Sequence, residues 1–121
     1  MKKFILKNGW LCFVFFSIGC FKPFSCDEWA SNFRDDETFK LVLEKKYNSE
    51  SRDVYFYGKD IESKKEIEYR EGGGWLAHNF DKFQVGDTLI KDKGKYTIFI
   101  KRNGRTTSLL LECGGKIYVD K

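Results

Sequence analysis

The sequence predicts an all-β fold, a small antiparallel barrel or sandwich with a C-terminal meander and one short helix. Three observations carry that expectation. Apolar and polar residues alternate with a period of two over 39–44, 96–101 and 107–113. Glycines punctuate the C-terminal third at 86, 94, 104 and 114–115. Asn103-Gly104 is a two-residue turn of the type hairpins favour, because both positions tolerate positive φ. At 121 residues the chain has the length of one domain, and 41% hydrophobic and 33% charged residues with one proline make a globular composition.

The first residues are a different kind of segment. Residues 1 to 19 have the layout of a secretory signal peptide: Lys2, Lys3 and Lys7 precede the uncharged, largely apolar run from Trp10 to Gly19. A bilayer-spanning helix needs about 20 such residues, and Lys22 and Pro23 close this run well short of that. Ser17-Ile18-Gly19-Cys20 resembles the lipobox of bacterial lipoproteins, in which the cysteine becomes the lipid-modified first residue of the mature chain. Cys20 is thereby the expected lipidation site. The small residues Ser17 and Gly19 also satisfy ordinary signal peptidase, which leaves simple secretion open. The formal charge of +4 comes mostly from this segment; without it 19 bases face 18 acids.

Of the four cysteines, Cys12 leaves with the signal. If Cys20 carries lipid, Cys26 and Cys113 remain as an even pair in an oxidising compartment and are expected to form a disulfide.

Residues 20–36 read as a tether in which Asp27 to Phe33 has weak helical character without a clean cap, and 37–121 as the β domain. Phe39, Leu41 and Leu43 alternate with Lys40, Val42 and Glu44 in a first strand. Asn48 to Ser51 is a polar turn, and Asp53 to Tyr57 a second strand ending at Gly58. Lys64 to Arg70 reads as an exposed strand. After Gly72-Gly73-Gly74, the spacing of Trp75, Leu76, Phe80 and Phe83 predicts a short helix. Four strands then follow, over 85–91, 96–101, 107–113 and 117–119, joined by glycine turns into a meander with Thr107, Leu109, Leu111 and Cys113 on one face.

Residues capable of chemistry are sparse. His78 is the one histidine, too isolated for a zinc site, and pairing it with Cys113 would need a free thiol. Asp35, Asp36 and Glu37 read as solvated carboxylates. Asp81 and Asp87 flank the junction from helix to strand, where Asp87 is expected to cap local backbone N–H groups. No phosphate loop, nucleophile elbow or dinucleotide fingerprint occurs. No catalytic residue, metal or cofactor is therefore expected. Tyr55, Tyr57, Tyr96, Phe99, Lys101, Arg102 and Arg105 interleave aromatics with bases. The near-neutral mature charge and an export signal fit nucleic acid poorly, and an ordinary lysine-rich sheet face accounts for the pattern.

Val85 to Lys91, with Gly94-Lys95-Tyr96 and the late Cys113, is similar to small uncharacterised β-rich lipoproteins of Gram-negative bacteria. Those proteins pair an export cysteine with a Gly-Asp-(Ser/Thr)-hydrophobic-hydrophobic-Lys strand start. The resemblance covers the signal and the C-terminal third. It implies membrane attachment through a lipid anchor, facing the periplasm or exterior, and brings no activity. The expected function is a non-enzymatic, lipid-anchored envelope protein that binds another envelope protein or a surface component. The alternative is a soluble secreted or periplasmic inhibitor of a cell-wall hydrolase.

Overall fold

The computed structural model describes residues 25–120. The expected signal over 1–19 and the lipidation site Cys20 lie outside the described residues.

The described residues open with a helix, α1 (Cys26–Asp36), longer and better capped than the weak helical character expected over Asp27 to Phe33 within the tether. Its start is a capping motif of the Ser-x-x-Glu kind. Ser25 is extended, and its Oγ accepts from the Glu28 amide at 3.2 Å, while Asp27 and Glu28 place negative charge on the first turn. The helix buries Ala30 and Phe33, with Trp29 packed beside them. Its far end is held by a lysine. Lys91 is fully buried, and its ammonium donates to the carbonyls of Arg34 (3.1 Å), Glu37 (2.8 Å) and Asp92 (2.7 Å) with the Phe33 ring 4.9 Å away. The cation thus satisfies carbonyls that the helix end leaves without partners. Burial pushes its pKa below the usual lysine value.

Six strands form one antiparallel sheet: β1 (Phe39–Asn48), β2 (Val54–Asp60), β3 (Glu66–Glu71), β4 (Thr88–Lys91), β5 (Ile98–Arg102) and β6 (Arg105–Leu109). Their order is β3-β2-β1-β4-β5-β6. β3 and β6 are the two ends of this order and do not pair, so the sheet is open and the barrel among the expectations is not formed. β2 runs through Gly58 rather than stopping there. Gly58 faces Leu43 beside a bulge in β1, between Leu43 and Lys45.

A short helix α2 (Trp75–His78) and a 3-10 turn (Phe80–Lys82) follow β3, on the segment where a helix was expected. The buried carboxylate of Glu71 caps this turn of chain, accepting from the Leu76 amide at 2.8 Å and from the Gly73 amide. Burial raises its pKa.

The meander is shorter than expected. β4, β5 and β6 are neighbours in sequence order, and Asn103 (φ 52°) with Gly104 (φ 78°) makes the predicted turn. The strand expected over 107–113 breaks at Leu110. The chain then leaves the sheet, and β7 (Leu111–Cys113) pairs with β8 (Lys116–Tyr118) as a separate two-stranded sheet. The break has a physical reason: Cys113 is bonded to Cys26 at the first turn of α1, with Cα atoms 5.6 Å apart. The Tyr118 hydroxyl donates to Asp27 at 2.6 Å, so the hairpin is fastened to the helix at a second point. The expected disulfide is present.

α1, α2 and the β7–β8 hairpin contribute Ala30, Phe33, Trp75, Leu76, Leu111 and Tyr118 to one buried cluster with the inner sheet residues, among them Leu41, Phe56, Leu89 and Ile98. The core therefore lies on one face of the six-stranded sheet.

Candidate functional site

Alternation fixes what the opposite face carries. With Leu41, Phe56, Leu89 and Ile100 inward, the residues between them point outward. Tyr47, Tyr55 and Tyr57 stand together on this outer face, with ring centroids 6.0 Å (Tyr47 to Tyr55) and 6.3 Å (Tyr55 to Tyr57) apart. The Arg70 guanidinium lies 5.9 Å from the Tyr55 ring and the Lys45 ammonium 5.6 Å from the Tyr57 ring. Arg70 is oriented by Asp53, which accepts from it at 2.7 Å. Val42 on β1, Ile90 on β4 and Phe99 on β5 extend the surface across the sheet; Ile90 and Phe99 are directly paired. Tyr47 is 52% exposed and Val42 36%. The result is a tyrosine-rich surface with apolar flanks and cations seated over two of its rings.

The structure sorts the aromatic and basic residues singled out in the sequence. Tyr55, Tyr57, Phe99 and Lys101 share the outer face. Tyr96 is elsewhere, receiving a hydrogen bond from Arg34 at 3.0 Å and packing on Tyr118. Arg102 turns to the inner face and grips the buried carboxylate of Asp87 through two bonds, 2.7 Å from Nε and 2.6 Å from Nη2. Tyr47, Val42 and Ile90 were not singled out; their alternation with core residues was the available signal.

Asp87 also accepts from the Gln84 amide at 2.8 Å, the local capping expected of it. It is 1% exposed, and the Arg102 fork holds its carboxyl below the usual value of 3.8. A carboxylate depressed in the folded state stabilises the fold above its unfolded pKa, and that stability is lost as pH falls through 3.8 toward the folded value. We expect Asp87→Asn to cost about 2 kcal/mol near neutral pH, since Arg102 remains partly solvated. The gap between variant and wild type should shrink below pH 3.8 in acid titrations of unfolding. A gap that is constant with pH would contradict this role.

The other residues considered for chemistry do not converge. His78 is exposed and lines a cavity of about 250 Å³ with Trp29, Trp75, Glu112 and Cys113, whose sulfur is committed to the disulfide. Asp35 pairs with Arg34 at 2.8 Å, and Asp36 and Asp81 are exposed. Among the described residues there is no group of His, Cys, Asp and Glu that could hold a metal ion, and no helix long and apolar enough to cross a membrane.

No protein-family model, curated protein or solved structure matches the chain.

Proposed function

We propose that this chain is a lipid-anchored cell-envelope protein, held at Cys20, whose β domain is a non-enzymatic binding module for another envelope protein. One observation carries the reading: the six-stranded sheet has its core on one face and a tyrosine-rich, partly apolar surface on the other. Tyrosine and arginine are the residues that concentrate binding energy at protein interfaces, and here Arg70 is already placed against Tyr55. We read the domain as a sandwich with an incomplete second layer, in which α1, α2 and the β7–β8 hairpin take the place of a full second sheet. An anchor at Cys20 stands five residues before Ser25, a reach of at most about 18 Å. The domain would then meet its partner close to the membrane surface.

The test places a photo-cross-linking residue at Val42, on the outer face, and at the exposed Lys93 as a control. The partner captured from Val42 is then purified and its affinity measured. Tyr55→Ala with Tyr57→Ala should weaken that affinity about 100-fold, as loss of a central pair of anchors does, and leave the fold intact. Equal cross-linking from Lys93, or unchanged affinity of the double variant, would refute the reading.

A further inference from the structure

The two ends of the sheet are built differently. On β3, Glu66, Glu68 and Arg70 are all exposed, the charged pattern that keeps a sheet edge from pairing with another chain. The middle of β6 is Thr106-Thr107-Ser108, exposed, uncharged and without proline. Its backbone phase follows from the hairpin. A two-residue turn makes Arg102 and Arg105 a hydrogen-bonded pair, so Ile100 and Thr107 are the next such pair. Thr106 and Ser108 therefore turn their N–H and C=O groups away from β5, toward the open edge. Among the described residues no strand pairs with that side of β6.

A cavity of about 350 Å³ lies along the same edge, with Ile100 and Leu109 as its apolar lining and Lys82, Arg102 and Thr107 around them. Its surroundings are basic. Lys82 and Arg105 are exposed and have no ion-pair partner among the described residues, whereas Arg102 is neutralised by Asp87.

We propose that the free edge of β6 is a strand-addition site for an extended, acidic segment of a partner protein, with an apolar side chain seated over Ile100 and Leu109. In strand addition the main-chain bonds supply affinity and the pocket under alternate side chains supplies specificity. Thr106 and Ser108 offer the bonds, and the cavity offers the pocket. The charges choose the occupant. A second copy pairing edge to edge would bring Lys82 and Arg105 against their own counterparts, which like-charge repulsion opposes, whereas acidic residues flanking the apolar one would meet them. The site uses different residues from the tyrosine face, so it stands or falls independently of binding there.

The experiment is hydrogen exchange at the Thr106 and Ser108 amides of the full chain. The probes are a capped ten-residue peptide of alternating valine and threonine with glutamate near each end, and its lysine counterpart. The glutamate peptide should slow exchange at both amides about tenfold or more, as a new ladder bond does, and the lysine peptide should not. Ser108→Pro should abolish the effect, because that N–H faces outward and its loss leaves the bonds to β5 in place. Should that variant fold poorly, Lys82→Glu with Arg105→Glu should instead transfer the preference to the lysine peptide. Exchange unaffected by the glutamate peptide at millimolar concentration would overturn the proposal. So would equal slowing by both peptides, or slowing that depends on protein concentration alone, the sign of a second copy on the edge.

Discussion

Replacing both half-cystines, Cys26→Ser with Cys113→Ser, is expected to lower the unfolding free energy by about 4 kcal/mol. The two are separated by 87 residues, so the bond closes nearly the whole described domain into one loop and removes much of the unfolded chain's freedom. It also decides local architecture. The β7–β8 hairpin is detached from the main sheet; besides Leu111 and Tyr118 in the core, the disulfide and the contacts of Tyr118 and Lys116 with Asp27 fasten it to α1. For a domain of this size the loss corresponds to a fall in melting temperature of roughly 15–25 °C. Denaturant unfolding of the oxidised protein and the double variant checks it. A difference under about 1 kcal/mol would mean that the hairpin holds its place without the covalent link.

Gly58→Ala should be of comparable consequence. A Cβ at this position would lie 2.0 Å from the Val42 carbonyl oxygen and 2.9 Å from its carbon. Both are backbone atoms of the central strand, next to the β1 bulge, so no side-chain rotation relieves the contact. Overpacking of this kind costs about 3 kcal/mol. Gly94→Ala is the informative comparison. There φ is +86° and nothing lies within 4 Å, so only backbone strain opposes the substitution, at about 1 kcal/mol. Equal losses at the two positions would show that the close approach of β1 and β2 is not what requires glycine at 58.

These residues also show where a sequence speaks and where it is silent. Asn103-Gly104 and the alternation around it were legible because turn chemistry and period act over a few neighbouring residues. Cys26 and Cys113 were legible by counting. The departure at Leu110 was not, since Leu109 and Leu111 keep the phase of a continuous strand and both are buried; the reason for the break lies in the distant Cys26. Helix α1 was obscured for a different reason. Only Ala30 and Phe33 are buried along it, too few for a clear helical stripe, though Ser25 and Glu28 carried its capping signal. Nothing in the residue type of Lys91 signals burial, yet it falls in phase with Leu89, and the structure sends it inward to cap α1. The tyrosine face was half legible. Alternation separates it from the core, but whether a second layer covers it is a property of the whole topology.

Whether an anchored, disulfide-closed domain presents this face at a membrane, as we propose, is decided by the intact mass of the protein recovered from the membrane fraction. The expected species is a chain beginning at Cys20 that carries acyl chains and gains two protons on reduction. An unlipidated chain found in the soluble fraction would contradict it and favour a secreted inhibitor of a cell-wall hydrolase.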